Sequence, residues 1–145
     1  MLFRSGREGL RLADFTSEPR SDLDGLVTFS GTSVLNPVDV SLTAHFDLEI
    51  FFQSTRIAAA DPGVDAIIVI GCGLTPETNQ IYADGLIRVQ QEYQKPILAV
   101  KIPGFDPKYS QQLCRGGIPF FDSAERAVHT YALAVRYKNW LNNRT

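Results

Sequence analysis

No apolar run in this sequence approaches the roughly 20 residues that a helix needs to cross a bilayer. The longest, such as Ala66 to Ile70, suit a buried strand, so a soluble chain with no membrane partner is expected. The opening Met-Leu-Phe-Arg-Ser-Gly-Arg-Glu-Gly has neither an apolar h-region nor a small-residue cleavage site. Export is therefore not indicated, and a cytoplasmic location is expected. Cysteine is scarce: Cys72 and Cys114 are the only two and lack C-x-x-C spacing. They read as free thiols rather than a disulfide framework or a zinc site. An excess of positive charge is missing too. The net charge is -2, with Lys and Arg spread along the chain, so no basic face is expected to release counterions from nucleic acid.

Several ligand signatures are absent as well. Gly71-x-Gly73 fails as a dinucleotide fingerprint because Pro76 stands where the third glycine belongs. No Gly-Lys-Ser/Thr ending marks a P-loop, so any ATP must be held elsewhere. Asp39-Val-Ser-Leu lacks the Asp-x-His-x-x-Gly spacing of cobalamin ligation, and no metal cluster is visible. Asp39 with Lys101 hints at a phospho-accepting receiver, but the additional acidic pair after the first strand is missing.

What is present fits one domain. The 145 residues are 44% hydrophobic and 21% charged, enough for a single core and well away from disorder. Residues 1–25 mix charge with Gly6, Gly9, Pro19 and Gly25, and only Leu10, Leu12 and Phe15 offer anchors. They read as a lead-in segment, compatible with the tail of a preceding domain in a longer polypeptide, and residues 26–145 as the domain. From Leu26 onward, short apolar runs alternate with segments of helical period, the pattern of strands crossing over through helices.

Leu26–Phe29 and Val34–Val40 are the first strand candidates, with Pro37 limiting the second and placing Asn36 in a loop. Leu48, Phe51, Phe52, Thr55 and Ala59 give one apolar helical face between Phe46 and Ala60, ended by Asp61-Pro-Gly. Asp65–Ile70 is unbroken and β-branched, as for a central strand covered on both sides. Thr75 as N-cap, Pro76 at the first position and Glu77 in the first turn mark a helix start, with Ile81, Gly85, Val89 and Tyr93 recurring along it. Pro96–Ile102 reads as the next strand, 106–115 as a short helix closed by Gly116-Gly117, and Ile118–Phe121 as a last strand. Asp122-Ser-Ala-Glu125 reads as a capping box, opening a helix whose stripe is Ala124, Val128, Tyr131 and Val135.

In such sheets, ligands bind outside the carboxyl ends of the strands. Two loops qualify, Asn36–Thr43 and Gly71–Glu77. The second has two glycines that permit close approach and a helix N-terminus that favours an anion, so phosphate or carboxylate is the expected guest. Cys72 just ahead of that helix could be a nucleophile, but no His or second Cys supports it, and a small residue at a tight turn is the simpler reading. His45, at a helix start on the same rim, and His129, one turn after Glu125, lack catalytic company.

Four segments then carry a resemblance: Asn36-Pro-Val-Asp-Val, Asp61-Pro-Gly-Val-Asp-Ala-Ile-Ile-Val-Ile, Lys95-Pro-Ile-Leu-Ala-Val, and Gly117-Ile-Pro-Phe-Phe-Asp-Ser-Ala-Glu-Arg-Ala-Val. In this order the chain resembles the ligase-CoA domain of NDP-forming acyl-CoA synthetases. That domain is similar to the carboxy-terminal domain of the succinyl-CoA synthetase β subunit, and the likeness spans roughly residues 34 to 141. It implies an α/β, three-layer, flavodoxin-like parallel sheet with helices on both faces. It also implies a helix aimed at the phosphate of a phosphohistidine, a role falling to Gly71, Cys72, Gly73, Leu74 and Thr75, with Asn36 helping to hold a substrate carboxylate. The loop is Gly-Cys-Gly-Leu where succinyl-CoA synthetase has Gly-Gly-Ile. No catalytic side chain is assigned here. The family reaction joins a small carboxylic acid to CoA with cleavage of ATP or GTP, and neither cofactor is expected on this domain alone. CoA-binding, phosphohistidine and ATP-grasp domains or subunits would be its partners, and a homo-oligomer is compatible with this. The alternative is a non-catalytic interaction or regulatory domain that keeps the fold without the chemistry.

Overall fold

The computed structural model describes residues 6–28, 30–41, 47–71, 75–101 and 107–144. Within them, eight elements follow in order: α1 (Ser17–Leu26), α2 (Leu48–Ala60), β1 (Ile67–Ile70), α3 (Pro76–Tyr93), β2 (Ile97–Val100), α4 (Pro107–Arg115), β3 (Phe120–Phe121) and α5 (Ala124–Asn142). From β1 onward strand and helix alternate, and the three strands form a parallel sheet in the order β1-β2-β3. This is an α/β fold consistent with the flavodoxin-like expectation.

Pleating sorts the side chains. Ile67, Val69, Ile97 and Ala99 point to a core shared with Ala59, Tyr82, Leu86, Val89, Tyr109 and Leu113 of the helices α2, α3 and α4. Their neighbours Ile68, Leu98 and Val100, with Phe121, meet Ala124, Ala127 and Tyr131 of α5 instead. Period-two alternation thus splits one continuous apolar run between two cores.

Several expectations are corrected. Leu26 ends a helix and Val27 is its C-cap, so no strand begins at Leu26; Phe29 lies outside the described residues. The α1 helix buries Leu23 completely against the rest of the fold, an anchor hidden in a sequence dominated by Ser, Asp, Glu and Arg. Val34–Val40 is not a strand either. It is a turn closed by a single antiparallel bridge, Ser33 to Asp39, with reciprocal backbone bonds of 3.0 and 2.7 Å. With those two strands gone, β1 lies at an edge of the described sheet and β2 is central. The burial agrees: all four residues of β2 are buried, whereas Ile70 of β1 is 51% exposed.

The α2 helix follows its periodicity, but α3 and α5 depart from theirs. On α5, Ala127, Val128 and Ala132 are buried, whereas Ala124, Tyr131 and Val135 of the expected stripe are only half-buried. On α2, Phe52, Thr55 and Ala59 are buried, with Phe51 and Leu48 packed beside them. On α3 the buried line runs Asn79, Tyr82, Ala83, Leu86, Val89, and Ile81 is 53% exposed. Gly85 is where α2 and α3 nearly touch, since a Cβ there would stand 2.3 Å from the Phe52 ring. Gly117, at φ +86°, supplies the left-handed residue after α4. The α5 helix is capped by Ser123, which accepts from Arg126 N–H at 3.3 Å. Position N3 is therefore Arg126, not Glu125, and Asp122 pairs with Arg126 at 3.6 Å instead of capping.

Candidate functional site

The parallel register brings the strand exits to one edge: Ile70 pairs with Val100, and Val100 with Phe121. Gly71, Lys101 and Asp122 therefore follow side by side, and α3 and α5 both begin on this rim. Lys101 is exposed there, its backbone N–H bonded to Phe121 O at 2.7 Å. Its place one residue beyond a buried strand was the signal that could have marked it as a rim cation.

Gly71 is buried at the base of the loop. A Cβ on it would sit 3.6 Å from Phe51 and 3.8 Å from the Tyr82 ring and hydroxyl, so Gly71 rests on an aromatic floor. That floor is tightly coupled, the Phe51 and Tyr82 rings lying 5.2 Å apart. Cys72, Gly73, Leu74 and His45 lie outside the described residues. Thr75 is the N-cap of α3 and forms a reciprocal capping box. Its hydroxyl accepts from Thr78 N–H at 3.3 Å, and its own N–H donates to Thr78 Oγ1 at 2.8 Å. The Glu77 carboxylate is held below its usual range, first by its own backbone N–H and then by the Thr75 hydroxyl. Asn79 N–H closes the first intrahelical bond, 2.9 Å to Thr75 O.

The electrostatic consequence is specific. A helix N-terminus concentrates unpaired donors and partial positive charge. Here Thr75, Glu77 and Thr78 satisfy their own donors, and Pro76 has none to offer. Glu77 already sets one negative charge on this helix end. Thr75, Pro76 and Glu77 are all exposed, so the cap faces solvent. From Thr75 to Thr78, therefore, no backbone N–H is left for an anion arriving from outside.

Asn36 is half-buried in its turn, and its side-chain amide donates to Ala13 O at 2.9 Å. Asp39 is used locally, its carboxylate accepting from Ser41 N–H at 2.8 Å. Among the described residues, no group of three His, Cys, Asp or Glu side chains could hold a metal ion, and no helix is long and apolar enough to cross a membrane. His129 is half-exposed with Nδ1 3.1 Å from Glu8 Oε1. Cys114 is a free, exposed thiol. Two features escaped the sequence. Asn79, 3% exposed, has a side-chain oxygen with no partner among the described residues, one turn into α3. Asp61, with no exposed surface, accepts from Gly63 N–H and Thr16 N–H, both at 2.7 Å, and from the Thr16 hydroxyl at 3.0 Å. Lys95 donates to its backbone carbonyl. A shallow open depression lined by Gln90, Gln94, Lys95 and Gly117 lies at the amino ends of β2 and β3, the opposite edge from the α3 start.

No protein-family model matches the chain, and no solved structure matches it significantly. It is 27% identical over 139 residues to a protein described as 4-hydroxybutyrate–CoA ligase (ADP-forming) from Nitrosopumilus maritimus (strain SCM1). The alignment covers 92% of this chain but 19% of that protein, so the chain spans about a fifth of its relative's length. A match of this extent takes in most of residues 34 to 141, and it supports a domain related to the NDP-forming acyl-CoA synthetases.

Proposed function

We propose that the chain is a component domain of an acid–CoA ligase of the NDP-forming kind, working with CoA-binding, phosphohistidine and ATP-grasp domains carried elsewhere. The observation that carries this reading is the match over nearly the whole chain to a segment of an ADP-forming 4-hydroxybutyrate–CoA ligase. Its subtype is read as succinyl-CoA synthetase-like, its substrate as a small carboxylic acid, its place as the cytoplasm. The complete domain is taken as a three-layer flavodoxin-like unit. CoA and ATP or GTP bind to the other domains.

Its own part is electrostatic. The amides of Gly71, Cys72, Gly73 and Leu74, ahead of the α3 dipole, receive the phosphate of a phosphohistidine or acyl phosphate, with Lys101 on the same rim. Thr75 fixes the helix start behind them, and Asn36 offers an amide to a carboxylate. The self-capped first turn limits the phosphate to this stretch, because donors already paired at Thr75 and Thr78 contribute little.

That same self-capping favours a second reading, a regulatory or interaction domain that kept the fold and lost the chemistry. Backbone-amide NMR of the chain, titrated with inorganic phosphate and acetyl phosphate, separates the two. The proposal expects saturable shifts concentrated on residues 71–75. Flat titration curves would favour the second reading.

A further inference from the structure

We infer that the outer face of α5 is a docking surface for another protein domain of the same ligase, one offering an apolar groove with an acidic rim. The inference rests on the acid–CoA ligase reading above.

The buried residues of α5 are Ala127, Val128 and Ala132, all in its first half. From Leu133 to Asn142 the helix continues for nearly three turns without burying a residue. A segment of that length gains little stability from propensity alone. Its exposed side is not polar. Leu133, Tyr137, Trp140 and Leu141 are 49, 62, 48 and 44% exposed, at positions i, i+4, i+7 and i+8, which is one continuous stripe. Tyr137 and Trp140 are stacked with centroids 5.9 Å apart, so two large rings form a pre-ordered plate. Aromatic residues so arranged are the typical anchors of protein interfaces.

Charge narrows the occupant. From Arg126 to Thr145 the chain carries Arg126, Arg136, Lys138 and Arg144 and no Asp or Glu, although the whole chain is net negative. Arg136 is turned to Glu8, 3.8 Å away. Lys138 and Arg144 flank the stripe, and the Arg144 guanidinium lies 4.0 Å over the Trp140 ring. A two-fold contact of this face with its copy would bring cation toward cation with no Asp or Glu from residues 126–145 to answer them, which disfavours a second copy. An acidic-rimmed groove pairs with both. The ligase that this chain matches has about four-fifths of its length outside the matched part, room for a domain that carries the proposed groove.

Trp140 is the chain's single tryptophan and reports on the stripe directly. The test titrates the full chain with the CoA-binding and ATP-grasp domains of the same enzyme, produced as a separate polypeptide. Complex formation is followed by light scattering and Trp140 emission in parallel. The expected result is a saturable blue shift that weakens with salt. Leu133→Ser and Lys138→Glu should each raise the dissociation constant roughly tenfold while leaving the unfolding temperature within a few degrees of the parent. A complex that forms with unchanged Trp140 emission overturns the docking surface and leaves the ligase reading intact. If no complex forms, both fall. A blue shift produced instead by phosphatidylserine vesicles, or by raising the chain's own concentration, assigns the face to a membrane or to a second copy and overturns the inference.

Discussion

Replacing Asp61 tests how the N-terminal segment is held to the domain. Its carboxylate gathers three donors, Gly63 N–H, Thr16 N–H and Thr16 Oγ1, at 2.7, 2.7 and 3.0 Å. It thereby ties the start of α1 to the end of α2. Burial pushes its pKa up, but the Gly63 and Thr16 amides, the Thr16 hydroxyl and the Lys95 ammonium together outweigh burial and hold it below the usual carboxylate value. Hydrogen bonds to a charged group contribute roughly 1.5–3 kcal/mol each when a partner is removed. Thr16 and Gly63 are themselves exposed, so water makes up for about one of the three bonds and the other two count at the low end, roughly 1.5 kcal/mol each. Asp61→Ala should cost about 3 kcal/mol and Asp61→Asn about half that. For a chain of this size the alanine variant should melt roughly 6–12 °C lower. Because the folded pKa is depressed, the unfolded chain binds the extra proton first. The stabilisation is therefore complete above the unfolded carboxylate pKa and is lost as pH falls through the folded one. Urea titrations from pH 7 to pH 3 should show parent and Asp61→Asn converging toward the acid end with little change in m-value. An alanine variant within about 0.5 kcal/mol of the parent at pH 7, or a gap independent of pH, would refute the reasoning.

Other outcomes follow from the same geometry. Gly85→Ala should destabilise by about 1–2 kcal/mol, because displacing the Phe52 ring costs more than the roughly 1 kcal/mol that alanine gains in a helix; thermal melts check this. Thr75→Ala removes the hydroxyl that accepts from Thr78 N–H, one half of the α3 capping box, and should cost about 1 kcal/mol, read by the same melts. Glu77→Gln withdraws a competing negative charge from the α3 start, so inorganic phosphate should bind the variant a few-fold more tightly by NMR titration. Lys101→Met, in contrast, should weaken phosphate binding and flatten its salt dependence.

The alternation of strand and helix from Asp65 onward was readable because each segment obeys a single period. β-branched runs, a Thr-Pro-Glu start and a Gly-Gly stop all bear on the same boundaries. Before residue 47 that agreement fails. The sequence Leu26–Phe29 has strand character, but a helix anchored by one leucine, Leu23, runs into it. Val34–Val40 has the composition of a strand, yet a local turn takes up its hydrogen bonds. Ile81 shows the limit of a four-residue rule, since a 3.6-residue period carries the buried line to Tyr82 and Leu86. At the site, Thr75, Pro76 and Glu77 were legible as a helix start. That they would satisfy one another was not, because Thr78 as a reciprocal partner and the inward fold of Glu77 depend on side-chain conformation. Asp61 read as helix punctuation because its partner Thr16 is far away in sequence.

The central claim is that an acid–CoA ligase needs this domain. Reconstitution tests it most directly: the enzyme's CoA-binding, phosphohistidine and ATP-grasp domains are supplied with ATP, CoA and 4-hydroxybutyrate or another short acid, with and without this chain, and thioester formation is measured. The account predicts thioester and released nucleoside diphosphate only when the chain is present, with loss when the 71–75 loop is altered. Equal thioester formation without the chain would contradict it.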